Sequence, residues 1–343
     1  MKTAITIGGY ANSNISGAVE FVKQADRLGV DRVWSAEAWG QDSVTSLAFL
    51  AAQTRQIALG TGIMQISARV PSMIAMTALS LNTLSQGRFV LGLGVSGPQV
   101  VEGLHGVSYE SPLTRLRETV DIVRLGFRGE KLQYEGKRHV LPRPGGEGKA
   151  IRLDHPPTDI PIFLATLAPN SLEYTGASAD GWLGTSFSPE YPEAHLDHLQ
   201  KGAKQAGRSL KDIEISVACH ITIGEDVERM IDEKRPGVAF TMGAMGSATT
   251  NFYNDAFKRA GFADDAVAIQ QLWLQGKREE AAARVPDAMV TQFGALGTSA
   301  MVLERLKKYK TAGVDSLSLR FDEVTAEKKI QLLEQVLDLI KQV

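Results

Sequence analysis

Residues 57–96 read IALGTGIMQISARVPSMIAMTALSLNTLSQGRFVLGLGVS. The apolar-rich run at 57–66 predicts a strand, and the run at 88–96 predicts a second strand. Between them Pro71 stands where a helix can begin, and helical sequence continues to about Leu84. Short apolar runs of this kind are typical of parallel strands that are buried on both faces. The stretch therefore predicts a strand–helix–strand unit of an α/β protein.

The same alternation extends along the whole chain. Eight predicted strands start near residues 4, 32, 57, 88, 160, 181, 213 and 316, and helical sequence follows each of them. Eight such units that close on themselves form a (β/α)8 TIM barrel. We therefore predict an α/β fold with a single barrel domain over residues 1–343.

The length of the chain predicts additions to that barrel. A (β/α)8 barrel takes about 250 residues, whereas this chain has 343. The two longest intervals between strands place insertions after strand four, at about 130–158, and after strand seven, at about 225–310. The first contains a hairpin pattern and a loop, and the second is predicted to be helical. We expect the second insertion, with Met242, Met245 and Phe252, to cover the mouth of the barrel.

Composition excludes several classes of protein. Hydrophobic residues make up 43% of the chain and charged residues 22%, with a formal net charge of −2. This balance is ordinary for a globular domain and provides no overall basic field for nucleic acid. A single cysteine excludes a disulfide framework and favours a cytoplasmic protein. Neither a membrane-spanning run nor a signal peptide is recognisable.

The active sites of such barrels lie at the C-terminal ends of the strands. The segments expected there are 8–10, 37–39, 62–67, 95–99, 166–169, 185–188, 220–222 and 320–322. They are rich in Gly, Met, Trp and Ile and contain few acid–base groups. Such a mouth suits a planar cofactor that carries its own reactivity.

Two patterns near the mouth have ordinary interpretations. Residues 92–97, GLGVSG, match the dinucleotide pattern G-x-G-x-x-G, but no helix opens at the third glycine. We interpret these glycines as allowing a flat ligand to approach the backbone. The six histidines form no metal-binding pattern, so no metal is expected, and His195 and His198 are placed on a surface helix.

Five segments carry a family resemblance: SAEAWG at 35–40, GTGIMQISARVP at 60–71, GLGVSGPQVVEG at 92–103, PIFLATLAPNSLEYTGASADGW at 161–182 and TMGAMG at 241–246. In order and over nearly the whole chain, the sequence resembles the luciferase-like monooxygenase superfamily. Within it, the sequence is most similar to the oxidoreductases that use the deazaflavin coenzyme F420, including methylenetetrahydromethanopterin reductase.

The resemblance implies that coenzyme F420 lies across the strand mouths. The residues it implies for binding are Trp39, Gly62, Ile63, Met64, Ser96, Gly97, Pro98, Gln99, Ala165, Thr166, Leu167, Ala168 and Asn170. It also implies a cis peptide bond between Gly62 and Ile63, behind the deazaflavin ring. The coenzyme's phosphate is expected at the start of the helix after strand five, because backbone N–H groups and the helix dipole favour an anion there.

The resemblance names Glu37 and Gln99 as catalytic candidates. Glu37 matches the acid of an acid–histidine pair in the glucose-6-phosphate enzymes of this branch, but Ala38 stands in place of the histidine. Gln99 stands where those enzymes have glutamate. Sugar-phosphate chemistry is therefore not expected, and strand one offers no carboxylate for the methylenetetrahydromethanopterin reaction. Trp39 and Trp182 are candidates for walls of the site.

Three functions stay open at this point. The first is hydride transfer between coenzyme F420 and a small organic substrate with a C=O, C=C or C=N group. The second is an FMN-dependent monooxygenase that uses dioxygen. The third is a protein that binds coenzyme F420 without turnover. A homodimer is implied by the resemblance alone.

Overall fold

Eight parallel strands close into a barrel in the computed structural model, which describes residues 1–8, 15–247, 249–323 and 325–343. In order around the barrel they are β1 (Lys2–Ile7), β2 (Arg32–Ser35), β3 (Ala58–Thr61), β5 (Phe89–Gly94), β8 (Ile162–Ala165), β9 (Gly181–Gly184), β10 (Glu214–Ile223) and β12 (Ser316–Arg320). The barrel closes because β12 pairs in parallel with β1. The predicted (β/α)8 TIM barrel is therefore confirmed. Residues 9–10, predicted at the mouth, lie outside the described residues.

Helices cover the outer face of the barrel and form most of the second insertion. They are α1 (Ile15–Arg27), α2 (Ser43–Ala51), α3 (Pro71–Leu84), α4 (Pro112–Phe127), α5 (Pro169–Ser178), α6 (Glu193–Gln205), α7 (Val227–Ala244), α8 (Phe252–Phe257), α9 (Ala263–Leu274), α10 (Arg278–Ala283), α11 (Asp287–Thr291), α12 (Ser299–Thr311) and α13 (Ala326–Ile340). Pro71 opens α3, as its missing N–H and fixed φ favour. Among the helices described, none has the length and apolarity to cross a bilayer.

The remaining strands lie off the barrel path. The short β4 (Met64–Gln65) pairs with β5, and β6 (Tyr134–Glu135) and β7 (Val140–Leu141) form the predicted hairpin after strand four. The segment after β10 contains α7 to α12, and α7 to α11 share an apolar cluster of their own. Contrary to the helical prediction for 225–310, this segment also contains β11 (Gly294–Gly297), which pairs with the end of β10. The sequence GALG has no strand pattern of its own. It forms a strand because the end of the long strand β10 offers backbone groups with which it can pair.

Two large rings fill the barrel interior opposite glycines. Trp34 and Phe163 have ring centroids 5.5 Å apart. A Cβ atom at Gly60 would lie 2.3 Å from the Trp34 ring, and one at Gly181 would lie 2.1 Å from the Phe163 ring. Because only glycine leaves room for them, the rings pack across the barrel. The guanidinium of Arg32 stacks on both rings, at 4.9 Å and 4.8 Å from their centroids.

The carboxylate of Asp26 fastens the end of α1 to the chain before β3. It accepts hydrogen bonds from the backbone N–H groups of Arg55, Gln56 and Ile57 at 2.9, 2.9 and 2.6 Å. Burial alone would raise the pKa of Asp26, but these donors and the nearby Arg88 together lower it below its ordinary value of 3.8. The folded state therefore favours the ionised carboxylate.

Replacement of Asp26 should lower the free energy of unfolding by an amount that depends on pH, because the folded state favours the ionised carboxylate. Asp26→Asn should lower the free energy of unfolding by about 2 kcal/mol at pH 7, because the backbone donors lose a charged acceptor. Since the folded pKa is depressed, the carboxylate's contribution is present above about pH 4 and is lost as the pH falls through the folded value. Urea unfolding at pH 7 and pH 3 should therefore show a smaller difference at pH 3. The exposed Asp338→Asn is the control, and a pH-independent difference would contradict the assignment.

Candidate active site

A cavity of about 790 Å³ opens at the C-terminal ends of the barrel strands. Trp34 and Leu183 reach it from inside the barrel, while Phe240 and Met245 reach it from the segment after β10. The cavity therefore lies between the barrel mouth and the second insertion. This is the place where barrels of this kind carry their active sites.

Nearly all of the residues predicted to bind the cofactor line this cavity. They are Trp39, Gly62, Ile63, Ser96, Gly97, Pro98, Gln99, Ala165, Thr166, Leu167, Ala168 and Asn170, and Glu37 lies with them. The prediction was wrong for Met64, which is fully buried in the core between the strands and the helices. Neighbouring residues of an extended chain point to opposite faces, so Ile63 faces the cavity and Met64 faces away from it.

One wall of the cavity is built from small residues and a single aliphatic side chain. The peptide bond between Gly62 and Ile63 is cis. A Cβ atom at Gly94 would lie 2.5 Å from Ile63 Cδ1, so the Ile63 side chain lies directly against the backbone of β5. A Cβ atom added at Gly97 would have Gln99 Oε1 as its nearest neighbour, at 3.8 Å, so this part of the wall is open. A flat ring can therefore approach the backbone at this wall.

Next along the barrel, the start of α5 forms an end of the cavity that suits an anion. Ala168 is the residue that precedes the first helical turn, and its methyl group accepts no hydrogen bond from the helix N–H groups. Ala168 and Asn170 both line the cavity. The Arg259 guanidinium donates to the Leu167 carbonyl at 2.7 Å and holds the loop that leads into the helix. Pro169 has no N–H, and the Ser171 N–H already donates to the Ala168 carbonyl at 3.0 Å, so the Asn170 N–H is the donor of the first turn that remains for a ligand among the described residues. This donor and the helix dipole together favour a phosphate here.

Glu37 is tied into an ion pair rather than left free for proton transfer. Arg69 donates to both carboxylate oxygens of Glu37, at 2.7 Å and 2.9 Å. The backbone N–H groups of Ser43 and Gln65 donate to the same carboxylate, each at 3.1 Å. The Glu37 side chain is only 8% exposed. This carboxylate therefore positions the segments after β2 and β4 at the mouth.

Removal of the Glu37 charge should reveal a positioning role. Glu37→Gln should lower the free energy of unfolding by about 2 kcal/mol, because Arg69 loses its partner in a partly buried setting. Glu37→Gln/Arg69→Met should lose less stability than the two single variants combined, since neither charge is then left alone. Urea unfolding of the four proteins measures this coupling. Full stability of Glu37→Gln with abolished turnover would contradict it and would indicate a proton-transfer role.

Gln99 connects the two sides of the mouth. It lies in a π-helical turn (Gln99–Leu104) after β5, and its side-chain amide donates to the Gly246 carbonyl. Met245 and Phe252, predicted to cover the site, line the cavity from the same segment. Met242, predicted with them, is instead fully buried in the cluster formed by α7 to α11. The second insertion therefore closes over the barrel through contacts with Gln99.

Several cavity residues were not singled out from the sequence. Trp34, Tyr253 and Arg320 all line the cavity, although only Arg320 lay in a segment expected at the mouth. Trp34 lies on β2, three residues before Glu37. Because side chains alternate between the two faces of a strand, counting back from Glu37 does not select Trp34. Tyr253 belongs to the second insertion, which was expected to cover the mouth through its neighbour Phe252, and the cavity contains both side chains.

Two side chains lie elsewhere than predicted. Trp182 is fully buried outside the cavity and donates from Nε1 to the Thr166 carbonyl at 2.9 Å, while its neighbour Leu183 faces the cavity. His195, expected on the surface, is fully buried beside Trp182 and Phe187. Burial lowers the pKa of His195 to about 3 and keeps the ring neutral. His195 packs in the core, and Trp182 packs in the core while it holds the carbonyl of Thr166, a residue that lines the cavity.

The family can now be assigned. The sequence model of the luciferase-like monooxygenase family matches residues 2–316 of this chain. The chain belongs to the luciferase-like monooxygenase family. The prediction from the sequence segments is therefore confirmed.

Within this family the chain is similar to several proteins named for coenzyme F420. A protein of Mycobacterium tuberculosis with the provisional name coenzyme F420-dependent oxidoreductase is 36% identical over 92% of this chain and 93% of its own length. The 5,10-methylenetetrahydromethanopterin reductase of Archaeoglobus fulgidus is 29% identical over 86% of both chains. The solved structure of the coenzyme F420-dependent tetrahydromethanopterin reductase from Methanopyrus kandleri covers 97% of both chains with a TM-score of 0.79 at 23% identity, and it supports the fold.

Proposed function

We propose that this luciferase-like protein is an oxidoreductase that transfers a hydride between coenzyme F420 and an organic substrate with a C=O, C=C or C=N group. The observation that carries the proposal is the shape of the cavity, where a glycine-rich wall on β3 and β5 adjoins the uncapped start of α5. This arrangement suits a planar ring joined to a phosphate. The relative that is 36% identical, named for coenzyme F420, supports this coenzyme over other planar cofactors.

The residues of the chain have separate tasks in this proposal. When bound, coenzyme F420 supplies a two-electron hydride carrier. Gly62 and Ile63 support one face of the ring site, and Ser96, Gly97 and Gln99 border its edge. The Asn170 N–H and the dipole of α5 hold the phosphate. The segment after β10 excludes water, which strengthens every polar contact inside the closed site.

A monooxygenase that uses FMN is the principal alternative. The name of the family supports this alternative. The fold is also similar to that of the oxygenating component of 3,6-diketocamphane monooxygenase from Pseudomonas putida, whose structure was solved with FMN; the TM-score is 0.68 and the identity 16%. A protein that binds coenzyme F420 without turnover is the third possibility, because few acid–base groups line the cavity.

Turnover distinguishes these functions. The purified chain with reduced coenzyme F420 should oxidise the coenzyme in the presence of at least one compound from a panel of ketones, enones and imines, followed anaerobically by absorbance. The same chain with reduced FMN and dioxygen should oxygenate none of them. Oxygenation with FMN, and no reaction with coenzyme F420, would overturn the proposal in favour of the monooxygenase. Binding of coenzyme F420 with no reaction across the panel would favour the binding protein.

We further propose that the chain forms a homodimer through α2 and α3. Phe49 on α2 and Met73 and Met76 on α3 are 54%, 49% and 50% exposed. Large apolar side chains that are exposed on adjacent helices are typical of a contact surface. Met73→Glu/Met76→Glu should convert the dimer to a monomer in light scattering, because two charges would be buried without partners. A monomeric wild-type chain would contradict the proposal.

A further inference from the structure

One cation in the cavity, Arg320, has no hydrogen-bond or ion-pair partner within the described part of the chain. Arg320 is the last residue of β12, lies in register with His220 of β10, and lines the cavity. Among the residues that the structure describes, none accepts a hydrogen bond from its guanidinium or forms an ion pair with it, and its Nε is buried without a partner. By contrast the buried Arg305 donates to the Gly294 carbonyl at 3.0 Å and pairs with Glu190. Arg320 therefore presents unused donors to the cavity.

The carboxylates near Arg320 are already engaged. Glu37 is the one carboxylate among the described residues that line the cavity, and it pairs with Arg69. Asp322, two residues beyond Arg320, pairs with Lys234. Burial lowers the pKa of Arg320, and the nearby Tyr253 raises it. As far as the described residues go, the positive charge of Arg320 in the cavity has no counter-charge paired with it.

Further unused polar groups lie on the same side of the cavity. Ser216 on β10 is 1% exposed, lines the cavity and has an Oγ with no hydrogen-bond partner among the described residues. Tyr253 of α8 also lines the cavity, close enough to Arg320 that each influences the pKa of the other. Tyr253 therefore lies beside Arg320, whereas Ser216 lies deeper in the barrel, level with Ser316 on β12.

We propose that Arg320, assisted by Tyr253, binds a carboxylate group of the substrate. The inference rests on the proposed function and adds the chemical class of the substrate to it. A guanidinium matches a carboxylate with two parallel hydrogen bonds. A single cation in a largely apolar cavity matches a monoanion, whereas a phosphate dianion would leave charge uncompensated.

The position of Arg320 also separates it from the expected phosphate of the coenzyme. Around the barrel, β12 is separated from β8 and the start of α5 by β9 and β10. The glycine-rich wall lies at the ends of β3 and β5, and β5 is next to β8 on the side away from β9. Arg320 therefore lies across the mouth from the segments assigned to the coenzyme, on the side that remains for the substrate.

Two probes of equal shape test the charge preference directly. Calorimetric titration of the full chain without coenzyme should show phenylacetate binding about tenfold or more tightly than the neutral phenylacetamide, as expected for a charge-assisted contact. Arg320→Met should abolish this preference, and Arg320→Lys should retain part of it. Equal affinity of both probes for the wild type, no detectable phenylacetate binding, or a preference that survives in Arg320→Met would each overturn the proposal.

A second pair of measurements separates this proposal from the others. Arg320→Met should keep the wild-type affinity for coenzyme F420, and a tenfold or greater loss would overturn the proposal by assigning Arg320 to the coenzyme. Its thermal midpoint should equal or exceed that of the wild type. The control Arg305→Met should be less stable, because Arg305 loses the Gly294 carbonyl and Glu190 as partners, whereas Arg320 has none among the described residues. A wild type that prefers phenylacetate but does not bind coenzyme F420 would refute the proposed function and leave the carboxylate site standing.

Discussion

Ala168→Asp should bind coenzyme F420 about 100-fold more weakly than the wild type, while its fold becomes slightly more stable. Ala168 has the extended φ and ψ of a helix-capping residue, −74° and 145°, and lacks a side-chain acceptor. An aspartate at such a position accepts hydrogen bonds from the helix N–H groups and adds about 1 kcal/mol of stability. The same carboxylate would occupy the anion site and repel a phosphate. Binding and stability should therefore change in opposite directions.

Ala168→Asn is the matched control for this experiment. Asparagine caps a helix about as well as aspartate and has nearly the same size, but it adds no charge. It should therefore reproduce the stabilisation and lose less affinity than Ala168→Asp. Fluorescence titration with coenzyme F420 and urea unfolding of the three proteins provide the comparison. Equal affinities for Ala168→Asp and the wild type would place the phosphate elsewhere.

Trp34→Ala should destabilise the barrel by about 4 kcal/mol, as expected when a large buried ring is deleted. Trp34 is 2% exposed and stacks with Phe163 and Arg32 inside the barrel. Gly60 of β3 and Gly62 just after it leave a space shaped for this ring, so smaller side chains cannot fill it. Because Trp34 also lines the cavity, its loss should allow the Gly62–Ile63 wall to relax and should weaken coenzyme binding.

The conservative variant Trp34→Phe separates volume from polarity. It keeps an aromatic ring in the barrel and removes an indole N–H that has no hydrogen-bond partner among the described residues. It should cost about 1.5 kcal/mol or less in urea unfolding. A loss as large as that of Trp34→Ala would mean that the indole N–H has a role that the structure does not show.

Features that repeat along the chain could be predicted from the sequence. The barrel follows from eight short apolar runs with helical sequence after each, because the same local pattern occurs many times. The start of α3 at Pro71 follows from the chemistry of one residue. The rule that barrel sites lie at strand ends then selected the segments 62–63, 95–99 and 166–168, which line the cavity. These predictions depend only on local patterns and a general property of the fold.

Features that depend on distant partners could not be predicted. Glu37 was proposed as a catalytic group, but its carboxylate is held in an ion pair with Arg69. Arg69 lies in the segment after β4, and the path of that segment could not be predicted from the sequence. The strand β11 exists because β10 extends beyond its barrel partner. Met64 and Trp182 are a different case, because strict alternation along their strands would have directed both away from the cavity. The unpartnered Arg320 became visible only once its neighbours were known.

The choice between coenzyme F420 and FMN is the most direct test of the account. Equilibrium titration of the purified chain with each compound, under identical conditions, should give an affinity for coenzyme F420 at least about tenfold higher than that for FMN, a difference of about 1.4 kcal/mol. Ala168→Asp should weaken the binding of coenzyme F420 in the same assay. Tight binding of FMN together with weak or absent binding of coenzyme F420 would contradict the proposed function.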